Sequence, residues 1–396
     1  MKNTMKSIVR MIATAGLALV LSLPVHAAEQ SSIQVLVDGQ PVVWTDAIPF
    51  ANKDSRTMVP LRATAEAMGL DVVWDAENGR AVFSKSYDEF TLSVEFIPRI
   101  YAFVVKDGIH FDETKYMDTA TEAINGRVYA PVRFLAEEFG YQVDWDAMNN
   151  AVVMASGQPL PSQRERPTKF VVDGVDADAI YAAIAQAGDD YQAEYEIIFS
   201  GCKSREEAKQ VRRTIIAKHQ EARPELNFGK YSASNRYVLE GVSTTVTVCG
   251  ARTEAGESCT EIAFRDGLQL MQQMMAEGLL TEGMTEYEKA KCIYDKLLEI
   301  YTYDKSDDYV ASAWSVFERN RGNCSGYTSA YNMLLRFCGI KCKGQGGYAD
   351  QGSHLWSVAL LDGRECHIDV VAEKFDVSPE YQKAICPVWD EAVEYE

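Results

Sequence analysis

Apolar and polar residues follow one pattern twice in this chain, in "RTMVPLRATAEAMGLDVVWDAENGRAVF" and again in "GRVYAPVRFLAEEFGYQVDWDAMNNAVVM", at an offset of 71 residues. Each copy sets a proline (Pro60, Pro131) in the first turn of an amphipathic helix and a glycine (Gly69, Gly140) at its end. Two short strands follow, with alternation in "VVW" and "AVF" and a turn containing Asp and Asn. Further on, "EYEIIF", "KYSASNRYVLEG" and "STTVTVCG" read as strands, with a charged helix over "SREEAKQVRRTIIAKHQ". Thr285 and Glu288 form a capping box that opens a helix with Ala290, Ile293, Leu297 and Ile300 facing inward. After Cys324, the residues Tyr327, Tyr331, Leu334 and Leu335 keep an apolar helical face that stops at Gly339. His354 then begins an alternating strand, and the turn "LDGRE" returns the chain as "CHIDVV".

The duplicated segment resembles the copper amine oxidase N-terminal-like domain of many secreted bacterial proteins, over about residues 32 to 156. That resemblance implies a stalk or attachment module. It implies no copper site, since His110 is the only histidine of this half once the leader is removed, and a lone histidine on a strand is a poor basis for a metal site. Trp74 and Trp145 fit two readings: each anchors its strand in the core, the simpler one, or the pair belongs to a sugar-binding face. A change to proline, serine and charge in "SGQPLPSQRERPT" marks a linker at 157–168.

Charge and the first residues place the protein in a compartment. Lys2, Lys6 and Arg10 precede an apolar run from Ile12 to Leu23 that is too short to span a bilayer comfortably, and Pro24, Val25 and Ala27 follow. Residues 1–27 therefore read as a signal peptide, with a secreted or extracellular product, free or held at the cell wall by noncovalent contacts. Removing those three positive charges takes the net charge from -19 to -22, which repels nucleic acid. No membrane span is expected after cleavage.

All nine cysteines lie between Cys202 and Cys386. In an exported protein an even set would read as disulfides, and nine leaves one over. The eight others could close up to four bridges, with Cys249 to Cys259 the favoured loop; Cys292 reads as packed or bridged. Cys324 is the odd one. It follows Gly322 at a helix start, where unpaired N–H groups and the positive end of the macrodipole favour thiolate. Gly322 lets the chain turn tightly and leaves room for a substrate carbonyl against the Cys324 N–H, one oxyanion donor. A base and an orienting group are also needed. His219 sits on the charged helix as a surface residue, which leaves His354 and His367. In the predicted hairpin His354 lies near Asp369, fifteen residues on, whereas His367 is two residues from Asp369 on the same strand, about 7 Å away, and suits a flanking role.

The order "RGNCSGY", "GSHLWSV", "HIDVV" is similar to the core of the transglutaminase-like superfamily, over about residues 285 to 375. The resemblance implies a papain-like fold, with the nucleophile's helix packed on an antiparallel sheet, and a triad of Cys324 as nucleophile, His354 as base and later acid, and Asp369 as orienting carboxylate. It extends to "YTYD" and to Trp356 of the His-x-Trp element. Leu355 and "DVVAEKF" depart from the usual pattern and touch substrate preference. Gly322 and Trp356 are the expected substrate-binding positions. The whole reads as α+β: signal peptide 1–27, repeat domain 28–156, linker 157–168, an α/β lead-in layer at 169–284 and the catalytic core at 285–396. The expected activity is thiol acyl transfer or hydrolysis on peptide or glutamine amides, with no cofactor and no metal. The expected partners are a peptide or protein substrate and, through the repeat domain, cell-wall polymer. The alternative is a noncatalytic surface attachment protein with a vestigial triad.

Overall fold

The computed structural model describes residues 33–107, 112–161, 169–172, 195–202, 231–238, 241–248, 259–300, 302–306, 311–349, 352–386 and 388–389, with single positions 176, 178, 179, 207, 210 and 214. The expected leader, His110, His219, Cys249, most of the expected linker and most of the expected charged helix lie outside the described residues.

The repeat is built as its pattern predicts. In the first copy β1 (Thr57–Pro60) runs into α1 (Leu61–Ala67), then β2 (Asp71–Asp75) and β3 (Arg80–Ser86). In the second, β4 (Arg127–Pro131) runs into α2 (Val132–Glu138), then β5 (Tyr141–Asp146) and β6 (Ala151–Ser156). Gly69 and Gly140 end the helices at φ 71° and 73°, the left-handed backbone that a side chain resists. Each hairpin turn is tied by the same interaction: the Asn78 amide donates to Asp75 at 2.8 Å and the Asn149 amide to Asp146 at 2.6 Å.

The copies are related by a pseudo-twofold axis. In the antiparallel pair of β1 and β4, Val59 lies opposite Ala130, its own counterpart at the 71-residue offset. Met58 faces Pro131 and Pro60 faces Tyr129, mirror images of one pairing. Two clasps repeat the symmetry, since Arg56 of copy one pairs with Asp118 while Arg127 of copy two pairs with Asp46. Leu61 and Ala65 of α1 and Leu135 and Ala136 of α2 share one buried core. The hairpins then diverge. β2 is the edge of a five-stranded sheet, and β5 is the edge of a four-stranded sheet that takes in Gln34–Val37 parallel to β6.

Trp74 and Trp145 are 46% and 48% exposed, which corrects the expectation that they anchor their strands in the core. Each sits on an edge strand, where one flank has no neighbouring strand to cover it.

In the second half, α3 (Cys259–Ala276), α4 (Glu286–Glu299), α5 (Ala313–Arg319) and α6 (Cys324–Phe337) gather around one apolar core. A five-stranded sheet lies against them, in the order Lys374–Val377, β9 (Arg364–Asp369), β8 (Gly352–Leu361), β7 (Cys342–Ala349), Val388–Trp389. All its neighbours are antiparallel. The predicted capping box of α4 is present, Thr285 accepting from the Glu288 N–H and Glu288 from the Thr285 N–H. The β8–β9 turn is Asp362–Gly363, both at positive φ (49° and 79°), the two-residue geometry that suits the twist of a hairpin. Asp362 also accepts the Glu286 N–H at 3.0 Å, so the turn docks on the N-terminus of α4.

The two halves share a seam. Ile97, Ile100 and Ala102 of the first half belong to the core of the second, and the Phe337 carbonyl at the end of α6 accepts the Tyr101 N–H at 3.0 Å. The Arg336 guanidinium stacks 3.8 Å above the Tyr116 ring.

Seven cysteines, Cys259, Cys292, Cys324, Cys338, Cys342, Cys366 and Cys386, are free thiols, so the expected bridging among them is not present. Cys259, Cys342, Cys366 and Cys386 are buried and serve as small apolar side chains.

Candidate active site

Asn323 caps α6, its side chain accepting the Gly326 N–H at 3.1 Å, and so makes Cys324 the first helical residue. The helix is held hard in place. Every residue from Gly326 to Leu335 is buried, and the Tyr331 hydroxyl donates to the Ala290 carbonyl of α4 at 2.9 Å. On one side the segment Thr302–Asp304 bridges to Gly322, whose N–H donates to the Thr302 carbonyl at 3.1 Å and whose carbonyl accepts the Asp304 N–H at 3.0 Å. The Tyr327 hydroxyl accepts the Thr302 N–H at 2.9 Å and latches that segment from within. On the other side lies β8, joined to α6 by the Thr328 hydroxyl, which donates to the Leu355 carbonyl at 3.2 Å.

Into this frame β8 brings His354. Its Nε2 lies 2.6 Å from Asp369 Oδ2, and its ring is also hydrogen-bonded to the Cys324 thiol. Asp369 is 1% exposed, and its second oxygen accepts the Ala372 N–H at 3.0 Å. The ladder explains the meeting. Ser357 lies opposite Ile368, so Asp369 ends β9 diagonally across from His354 on the same face.

Burial alone would push the Cys324 thiol up. The His354 hydrogen bond, the Leu355 N–H, the imidazole charge and the Ser325 N–H outweigh it, and the thiol titrates below its ordinary value. His354 rises to about 10, because Asp369 and then Cys324 hold its protonated form against the opposing effect of burial. Both shifts favour a thiolate beside an imidazolium over a neutral pair. Burial instead raises Cys259 and Cys292, and takes Cys338 and Cys366 to about 12.

His367 stands apart from this pair. Its Nδ1 accepts the Trp356 indole N–H at 3.0 Å, its Nε2 lies 3.3 Å from Glu365, and burial lowers its pKa. It is a neutral ring in the wall behind the site.

Two expected substrate positions are corrected. Trp356 is fully buried, its ring stacked on His354 (centroids 6.1 Å apart) and tilted against His367 (6.4 Å), so it supports the base from behind and offers no face to a ligand. Gly322 is buried rather than open: a Cβ there would meet Val316 at 2.9 Å and Tyr327 at 3.2 Å, and both its backbone polar groups are already bonded. The site also has members that the sequence reading passed over. These are the Asn323 cap, signalled by an asparagine just before an apolar helix, and the Leu355 N–H, for which no side-chain signal exists. Tyr303, 41% exposed, carries the Lys305 ammonium 5.2 Å above its ring on the rim next to Gly322.

Among the described residues no group of three or more His, Cys, Asp or Glu is arranged to hold a metal ion, and no helix is long and apolar enough to cross a membrane.

Residues 36–154 match the family model of the Copper amine oxidase N-terminal domain, and residues 273–375 match that of the Transglutaminase-like superfamily. A solved structure described as a TGase is 11% identical, with TM-score 0.27, over 72% of this chain and 70% of that one. A proposed cysteine protease from Cytophaga hutchinsonii is 12% identical, with TM-score 0.24, over 41% of this chain and 67% of that one. A proposed protease from Parabacteroides distasonis is 11% identical, with TM-score 0.22, over 85% and 65%. No curated protein matches the chain significantly.

Proposed function

We propose that the chain is a thiol acyl-enzyme acting on peptide or glutamine amides, by hydrolysis or by transfer to an amine. One observation carries the reading: a single imidazole couples the Cys324 thiol to a buried carboxylate, its Nε2 lying 2.6 Å from Asp369 and its interaction with the thiol lowering the one pKa and raising the other. The Cys324 thiolate attacks the amide carbonyl, and the oxygen gains negative charge against the Cys324 N–H at the helix start. His354 gives its proton to the leaving amine, the C–N bond breaks, and a thioester remains. Water or an incoming amine then attacks, His354 takes its proton, and an acid or a new amide is released with the thiolate restored. Asp369 keeps the ring oriented throughout. These steps need no cofactor.

The segment 1–27 is proposed as an export leader, and the domain limits 28–156, 169–284 and 285–396 as the working division of the chain. Action outside the cytoplasm accords with this leader and with the matched N-terminal domain.

Iodoacetamide labelling of the native protein followed by peptide mapping tests the proposal. Cys324 is expected to react fastest among the cysteines at neutral pH, and Cys324→Ala to lose amide turnover entirely. Turnover that survives Cys324→Ala, or labelling that favours another cysteine, ends it.

A further inference from the structure

We propose that a cavity in the repeat half is a binding site for a neutral, hydroxyl-rich sugar, independent of the thiol chemistry. The cavity measures about 560 Å³, within the range of sites that enclose small organic ligands. Its walls come from both copies: Trp44, Asp46, Arg62, Glu66 and Trp74 from the first, Arg127 from the second. The edge of β2 leaves the Trp74 indole 46% exposed at this opening.

The charges choose the ligand class. Two cations, Arg62 and Arg127, face two acids, Asp46 and Glu66, so the cavity selects neither an anion nor a cation. Four charged groups also disfavour a lipid chain, whose burial would strip them of water without replacing their hydrogen bonds. A pyranose ring fits both features: its C–H face lies on an indole, and its hydroxyls both donate to carboxylates and accept from guanidinium groups. Asp46 and Arg127 hold each other in the clasp across the pseudo-twofold axis and form a fixed rim. Among the described residues neither Arg62 nor Glu66 has a side-chain partner, although they are one helical turn apart on α1 and free to meet a ligand. The counterparts in the second copy, Arg133 and Glu137, hold each other at 3.0 Å. One copy therefore keeps its polar groups available while the other has closed them.

Isothermal titration of the full chain with tetra-N-acetylchitotetraose and with cellotetraose tests the proposal, the two arms separating acetamido sugars from plain glucans. At least one is expected to bind saturably, with affinity at least roughly tenfold weaker in Trp74→Ala. Arg62→Ala is expected to weaken the same ligand, while Trp145→Ala and Cys324→Ala bind as the parent does. Far-UV circular dichroism checks that both cavity variants are folded; both changes fall on exposed positions. Lack of saturable binding by either sugar at millimolar concentration overturns the proposal. So does equal binding by the parent and both cavity variants.

Discussion

The two halves of the molecule place their polar chemistry in opposite ways. In the repeat half Trp74, Trp145 and the arginine–acid clasps sit on edges and rims: the two indoles are half exposed, and the clasps lie at the surface. In the second half the groups that matter are sunk among packed neighbours, Asp369 and His367 at 1% exposure and Trp356 at none. The polar atoms of this group are paired, His354 Nε2 with Asp369, the second Asp369 oxygen with the Ala372 N–H and the Trp356 indole N–H with His367, and leaving one of them unpaired in low dielectric would cost far more than at a surface. A rim tolerates substitution and changes through what it touches, whereas a buried chain of hydrogen bonds fails when any link is removed.

The largest effect that would sharpen this contrast is at Asp369. Asp369→Ala strands the His354 Nε2 and the Ala372 N–H, and amide turnover is expected to fall at least about 100-fold. Steady-state kinetics on a peptide amide measures it, and a loss of tenfold or less would show that the carboxylate is dispensable. Next comes the seam between the halves. Gly339 lies at φ 74° with a would-be Cβ 2.5 Å from the Tyr101 ring, so Gly339→Ala is expected to cost about 2–4 kcal/mol of stability, read by urea unfolding.

Proton linkage gives a third test. The His354 pKa is raised in the folded state to about 10, so its contribution to stability is complete below its unfolded value near 6.5 and vanishes as pH climbs through 10. That of Cys324 is lowered, so its contribution is present above the unfolded value near 9 and is lost as pH falls through the folded one. The ion pair therefore spans the window from the lowered thiol value to about 10. Alkylation of Cys324 should rise to a plateau at a pH below that of an ordinary thiol. In His354→Ala, burial acts with less opposition, and the rise is expected to move to higher pH. An unmoved profile would mean that the imidazole does not set the thiol's charge.

Smaller changes follow. Thr285→Ala removes the capping box of α4 and is expected to cost about 1 kcal/mol in thermal or urea unfolding. Smallest of all, Trp74→Ala should shift stability by no more than about 0.5 kcal/mol, as befits a half-exposed rim.

What could be read from the chain beforehand tracks how local the signal is. The cap at Thr285, the Asp362–Gly363 turn and the helix stops at Gly69 and Gly140 depend on neighbours within a few residues, and all appear as written. The closeness of His354 and Asp369 was legible because a two-residue turn sets the register of a hairpin. Burial was not. Alternation puts His354 and Trp356 on one face of β8, yet only packing against the rest of the fold decides that the first is reachable and the second sealed. For Trp74 and Trp145 the error came from sheet order, since a strand's own letters do not say whether it will be an edge. The cysteines failed for a similar reason: counting them gives parity, and the fold spends them as packing.

The face-to-face pairing of Val59 with Ala130 carries a consequence for ancestry and dissection. A single copy, expressed alone, would present β1 or β4 as a bare hydrogen-bonding edge and half of each arginine–acid clasp. It would recover the lost neighbours only by meeting a second identical chain about a twofold axis, so the simplest forerunner of this half is a homodimer whose subunits were later fused into one polypeptide.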